Sequence, residues 1–182
     1  HRWEHDKNPK PFFAALENLK QKDIPFSLAL MGENFSKAPA VFERAEKQFE
    51  NQLKVFGYVA SKQDYLSWLK KGAVVVSSAV QENFGISVVE AVRHGCIPLL
   101  PQRLSYPELI SESLHQQLLY ESEADFNDKL QTILTRYDSV RHLRKELAEA
   151  MGCHAWANRI KAFEAIMPGQ PAAPDTAEEI NR

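Results

Sequence analysis

A chain of 182 residues is the size of one domain and long enough to bury a sizeable core. Its composition, 44% hydrophobic and 25% charged with a net charge of -2, argues against a broad basic face that grips nucleic acid by charge alone. No apolar run approaches the ~20 residues that span a bilayer, and no signal segment opens the chain, so a cytoplasmic protein is expected.

In chain order, the segment from His1 to Lys7 reads as a polar loop of the kind that follows a strand, and a piece of something longer is expected. Asn8-Pro9 predicts a helix start, with Asn8 as N-cap and Pro9 at the first helical position. Phe12, Phe13, Leu16 and Leu19 supply that helix with an apolar face. Phe26 to Met31 is a short apolar run closed by Gly32. Phe42, Ala45 and Phe49 mark a second helix, and Leu53 to Phe56 a strand closed by Gly57. Ser61 starts a third helix, with Asp64 in the capping-box position.

Ala73 to Val76 is nearly all valine, the pattern of a strand covered on both faces. Gly85 to His94 predicts a helix, Cys96 to Leu100 a strand, and Leu118 to Tyr120 a last short strand. From Asp125 to about Met167 the pattern is helical, with one break near Gly152. The tail, 168–182, carries Pro171, Ala172, Ala173 and Pro174, has too few apolar residues to pack, and is expected to be disordered. Cys96 lies in an apolar run, where a buried reduced thiol is expected; Cys153 forms no CxxC pair with it. The alternation of helix and strand predicts an α/β fold, Rossmann-like, with an open, mostly parallel sheet and helices on both faces.

In such sheets ligands bind outside the carboxyl ends of the strands. The richest segment there runs from Gln81 to Ala91, between the valine strand and a helix. Free amides at that helix start form a ready phosphate site, and Gly85 lets backbone approach a ligand closely. Glu82 and Glu90 are carboxylates able to accept from sugar hydroxyls. By spacing alone, Glu82 could equally complement the helix dipole and Glu90 be solvated. Arg2 and Lys7 could meet a diphosphate, or be two solvated cations. His1, His5 and Asp6 lack a further ligand at a telling spacing, so no metal site is expected.

Leu104-Ser105-Tyr106-Pro107-Glu108 follows a strand and reads either as part of the ligand edge or as a capped turn. Arg141, Arg144 and Lys145 read as a solvated helix face. His94 suits a helix C-terminus. Trp156 and Phe163 read as helix packing. There is no GxGxxG for a dinucleotide, no GxxxxGK phosphate loop, and the valine strand ends in Ser77-Ser78 with no phospho-accepting aspartate.

Together these residues resemble the family 4-like glycosyltransferases of GT-B fold. The Glu82-to-Glu90 segment resembles that family's E-x7-E signature with FG between the acids. Arg2 and Lys7 resemble its pyrophosphate-binding Arg and Lys, and Gly57-Tyr58-Val59 resembles its Gly-aromatic-Val step beside the nucleotide base. The likeness covers 1–167, which it implies is the donor-binding domain, the C-terminal half of a GT-B fold.

Three strings are similar to the tRNA-queuosine mannosyltransferase branch: His1 to Pro9, Gly32-Glu33-Asn34-Phe35, and Leu104 to Glu108. That branch transfers mannose from GDP-mannose to queuosine in a tRNA anticodon. The resemblance implies a retaining transferase that uses a nucleotide-diphosphate sugar without a metal cofactor. Glu82 would meet the donor sugar as the catalytic carboxylate and Glu90 the ribose. Arg2 and Lys7 would neutralise the diphosphate, and the backbone of Asn83, Phe84, Gly85 and Ile86 would hold phosphate and sugar. Gly57 and Tyr58 would flank the base.

The acceptor-side, N-terminal lobe is expected to be a separate part, leaving this chain inactive alone. The family's strand before the Arg is expected to be missing or reduced to a stub. Two other readings use the same cleft: a GT-B sugar-nucleotide epimerase, or a non-catalytic nucleotide- or RNA-binding module. For the working site, Arg2, Lys7, Gly57, Glu82 and Gly85 are expected along one edge of the sheet.

Overall fold

The computed structural model describes residues 3–32, 40–154 and 160. Helix α1 spans Pro9–Gln21 and buries Phe13, Leu16 and Leu19, the face its apolar spacing predicts. Asn8 precedes it but caps with no side-chain hydrogen bond. It takes a left-handed φ of 44° and its amide donates to the His5 carbonyl at 3.0 Å, closing the preceding turn. A backbone turn replaces the expected Asn cap.

Strand β1 is Leu28–Met31, helix α2 Val41–Gln48, strand β2 Leu53–Gly57 and helix α3 Lys62–Lys71. Ser61 caps α3 as predicted, its hydroxyl accepting from the Asp64 amide at 3.2 Å. Strand β3 is Val74–Val76, helix α4 Ile86–Arg93 and strand β4 Ile97–Pro101. Two short helices unforeseen in the sequence follow, α5 at Tyr106–Leu109 and α6 at Glu112–Leu118, before strand β5 at Leu119–Tyr120.

Helix α7, Glu123–Thr135, starts two residues before the predicted Asp125, because Ser122 caps it by accepting from the Asp125 amide at 3.1 Å. The expected single break near Gly152 is joined by two others, which separate α7 from α8 (Asp138–Arg141) and α8 from α9 (Leu143–Ala150). Glu33 to Phe35, Trp156, Phe163 and the tail lie outside the described residues.

Every strand pairing is parallel: β1 with β2, β3 with β4, and β4 with β5. The fold is the expected Rossmann-like α/β arrangement. Among the described residues, however, the strands form two sheets, β1–β2 and β3–β4–β5. Strand β4 is buried along its whole length, as befits a central strand. The three valines of β3 are only half-buried, against the expectation of cover on both faces. They border a cavity that separates β3 from β1.

The core is continuous nonetheless. It joins Phe13, Phe42 and Phe49 beneath β1–β2 to Ile97, Leu99, Leu118 and Phe126 around β4. Cys96 is buried as expected and pairs with no other cysteine; burial pushes its thiol up to about 11, against a smaller opposing pull from the Arg144 charge. Arg144 departs from the solvated-face reading. Its Nε donates to the Gly95 carbonyl at 2.6 Å, satisfying backbone just past the end of α4, while Arg141 and Lys145 stay exposed. No described helix is long and apolar enough to cross a membrane.

Candidate nucleotide-sugar site

The loop before α1 is held against the carboxyl edge of both sheets. On one side the Trp3 ring stacks on Phe42 at 4.6 Å and 4°, and packs against Phe56, the penultimate residue of β2, also at 4.6 Å. On the other side the Asp6 carbonyl accepts from the amides of Val80 at 2.8 Å and Gln81 at 3.4 Å. The Ser78 hydroxyl donates to the Lys7 carbonyl at 3.0 Å. Trp3 to Lys7 therefore bridges the end of β2 and the loop after β3.

That bridge sets the Lys7 ammonium, a tenth exposed, against Glu82: Nζ to Oε2 is 3.2 Å. Lys7 also donates to the Gln81 carbonyl at 3.2 Å and lies 3.2 Å from Asp6 Oδ2. Burial works against the ionised form of Glu82. The bonds from Lys7 and from the backbone of Gly85 and Phe84 outweigh it, and its carboxyl sits below the usual carboxylate range. The result is a charged, pre-aligned carboxylate at the mouth of α4.

Gly85 is the N-cap of α4 with φ +82°, a backbone conformation that side chains disfavour. Beneath it packs Tyr106, buried, whose ring would come within 3.1 Å of a Cβ at Gly85. Tyr106 hydrogen-bonds Ser77 Oγ at 2.7 Å, and Tyr120 donates to the Ser77 carbonyl at 2.8 Å. The Leu104-to-Glu108 string forms a turn into α5 whose tyrosine supports the α4 loop from below. Burial pushes both phenols up, Tyr120 to about 12, so both stay protonated.

Glu90 is not freely solvated either. The Tyr65 hydroxyl, on α3, donates to its Oε2 at 2.9 Å. Burial first, then the bond and charge of Glu90, push the Tyr65 phenol up, which keeps it the donor. Sequence reasoning missed Tyr65 because its partner lies 25 positions away. The capped start of α3 was the available signal, since it fixes which face Tyr65 presents.

Gly57 ends β2 at φ +103°, with its carbonyl accepting from Gly32 N at 3.1 Å; Tyr58 beyond it is 67% exposed. Phe84 packs edge-on against His154 at 5.1 Å, while Asn83 in the same loop and Ile86, the first residue of α4, are exposed. The Asn83 amide donates to Glu82 Oε1 at 3.1 Å. Lys7 and Glu82 are thus in direct contact, Gly85 adjoins them, and Gly57 belongs to the same edge through the Trp3 bridge. Arg2 lies outside the described residues. The groups present suit an anion with hydroxyls attached: one cation, helix amides and two ordered carboxylates. Among the described residues no three His, Cys, Asp or Glu side chains are grouped to hold a metal ion.

A tRNA-queuosine alpha-mannosyltransferase of Drosophila melanogaster is 38% identical over 109 residues, which are 60% of this chain and 29% of that protein. The chain thus matches less than a third of the curated relative's length.

Among solved structures, a glycosyltransferase from Rickettsia africae superposes with a TM-score of 0.72 at 14% identity, covering 93% of this chain and 47% of that one. A sucrose-phosphate synthase from Thermosynechococcus elongatus gives 0.71 at 19%, covering 91% and 43%. The C-terminal domain of a glycosyl transferase group 1 family protein from Francisella tularensis gives 0.64 at 19%, covering 90% and 82%. These likenesses establish the shared fold. The profile of the glycosyl transferases group 1 family matches residues 1–151, and the chain belongs to that family.

Proposed function

We propose that residues 1–167 are the donor-binding domain of a retaining glycosyltransferase, which completes its active site with an N-terminal lobe outside these residues. The observation that carries the reading is the Lys7–Glu82 pair at the N-terminus of α4. It sets a cation for a diphosphate beside a carboxylate for the sugar. On arrival of donor, Lys7 exchanges part of its contact with Glu82 for a phosphate oxygen, and the α4 amides take another. Both stabilise the charge that develops on the leaving diphosphate, a role that needs no metal ion. Arg2 is assigned to the same diphosphate, Gly57 and Tyr58 to the base, and the backbone from Asn83 to Ile86 to phosphate and sugar.

The named activity of the Drosophila relative supports mannose as the transferred sugar and queuosine in tRNA as acceptor; GDP as its carrier rests on the resemblance of His1 to Pro9, Gly32 to Phe35 and Leu104 to Glu108 to that branch. A tRNA acceptor fits a cytoplasmic enzyme. Mass analysis of tRNA from cells lacking the gene is expected to show loss of a mannosylated queuosine. Unchanged tRNA would remove this acceptor while leaving the donor reading intact.

The donor reading has its own test. Glu90 is assigned to the ribose, common to the free nucleotide and its sugar conjugate; Glu82 is assigned to the sugar, present only in the conjugate. A hydrogen bond to a charged group contributes about 1.5–3 kcal/mol, roughly ten- to a hundredfold in affinity. Glu90→Gln is expected to weaken GDP and GDP-mannose alike, and Glu82→Gln chiefly GDP-mannose. Glutamine retains one acceptor oxygen, so the low end of the range is expected. Calorimetry of both variants with both ligands decides, and unchanged affinities throughout would make the two acids structural.

A further inference from the structure

Glu90 stands in the second turn of α4, about 7.5 Å along the helix from Gly85 at the usual rise. Tyr65 stands just inside α3, about 6 Å from its Ser61 cap. Both helices start at the carboxyl edge of the strands, so their first turns bring an acid and a phenol side by side beneath that edge. The Tyr65 hydroxyl closes the gap by donating to Glu90 Oε2 at 2.9 Å. Among the described residues it is the one donor to that carboxylate, which leaves Oε1 open.

The phenol comes from a preset direction. The Tyr65 amide donates to the Ser61 carbonyl at 2.9 Å, inside the capped first turn of α3. One turn on, Leu69 is buried with Ala91 and Cys96, and Tyr65, Leu66, Met31 and Val75 pack on the same cluster. Cys96 Sγ donates to the Leu69 carbonyl at 3.5 Å, and a Cβ on Gly72 would meet that sulfur at 2.6 Å. These contacts tie α3 to the junction of α4 and β4 and hold the tyrosine ring in place. A glutamate on a helix surface has no such restraint, because its side-chain torsions offer many staggered rotamers.

We propose that Tyr65 is a positioning residue that holds Glu90 in the rotamer that receives the ribose of a nucleoside diphosphate, and so sets the preference for a ribose over a sugar without its hydroxyls. The inference rests on the assignment of Glu90 to the ribose. By occupying Oε2, Tyr65 fixes the plane of the carboxylate and reserves Oε1 for a ribose hydroxyl. The side chain is then ordered before the nucleotide arrives, and binding is spared that entropic loss.

The test uses the full-length enzyme and two probes, GDP and 2′,3′-dideoxy-GDP, which differ only in the ribose hydroxyls. Calorimetry of the wild type is expected to show GDP bound the more tightly. Tyr65→Phe removes one oxygen and keeps the packed ring. It is expected to weaken GDP by roughly three- to tenfold, the worth of one hydrogen bond, and to change dideoxy-GDP by less than about twofold. Tyr65→Phe added to Glu90→Ala is expected to cost nothing beyond Glu90→Ala alone. Equal weakening of both probes would mean a general prop for the fold and would overturn the proposal. Unchanged or tighter GDP binding overturns it too. If Glu90→Ala abolishes the preference for GDP and Tyr65→Phe preserves it, the ribose assignment stands and Tyr65 alone loses its role. If Glu90→Ala preserves the preference, the ribose assignment itself falls, and this inference with it.

Discussion

Lys7→Met is expected to lower the turnover number of the full-length enzyme by about 100- to 1000-fold, the usual effect of removing one preorganised group from a developing charge. Methionine keeps most of the length and apolar stem, so the loss falls on the ammonium. That ammonium contacts Glu82, Asp6 and the Gln81 carbonyl together, which fixes it before donor arrives. On the donor reading, a cation already held at this edge would stabilise the departing diphosphate after only a partial exchange of its Glu82 contact.

The substitution carries a second signature. Burial raises the Glu82 carboxyl, and the bond from Lys7 is the first of the opposing effects that bring it below the usual range. Without Lys7 that carboxyl rises, so the acid limb of the rate profile is expected to move to higher pH. The sign for stability follows. A lowered carboxylate favours the folded chain above the ordinary carboxylate range, and that contribution disappears as pH falls through the lowered value. Lys7→Met should therefore weaken this acid dependence. A variant with wild-type turnover and an unmoved acid limb would exclude Lys7 from the charge-bearing role.

Gly85→Ala is expected to destabilise the chain by about 2–3 kcal/mol, from two additive sources. A Cβ at φ +82° is strained wherever it points, and here it also meets the Tyr106 ring at 3.1 Å. The ring cannot easily move, because its hydroxyl is bonded to Ser77 at 2.7 Å. For a chain of this size the midpoint should fall by roughly 5–10 °C. Gly57→Ala isolates the backbone part, since at φ +103° a Cβ there meets nothing within 4 Å. Thermal melts of the two variants should rank Gly85 as the costlier position. Equal losses would mean that the Tyr106 contact relaxes freely.

Local rules in the sequence were enough for elements whose stabilising partners are close by. The hydroxyl of Ser61 meets an amide three residues on, and the Phe13–Leu16–Leu19 stripe repeats at helical spacing, so both were legible. Asn8 misled because its left-handed turn answers to the loop behind it and not to the helix ahead. The breaks around α8 were missed because no glycine or proline marks them. The E-x7-E segment pointed to the acids of the candidate site, yet gave no sign of what fixes them. Lys7 meets Glu82 across 75 positions, and Tyr65 reaches Glu90 from another helix. Such contacts exist only after packing, and a single sequence carries no local trace of them. The division of the strands into two sheets was equally hidden, because each strand looks complete by itself.

Ser77 has a consequence for the order of assembly. Its hydroxyl is bonded to Tyr106, which lies on α5, and its carbonyl to Tyr120, which ends β5 and stands 43 positions later in the chain. The floor under the α4 loop is therefore closed only by residues far downstream. Contacts this distant in sequence must wait for the downstream residues to be made, whereas those within the α4 loop need not. A nascent chain emerging from the ribosome could pair β3 with β4 and form α4 with the donor edge still unfinished. The support that Tyr106 and Tyr120 give the α4 loop through Ser77 cannot form until Tyr120 has been synthesised.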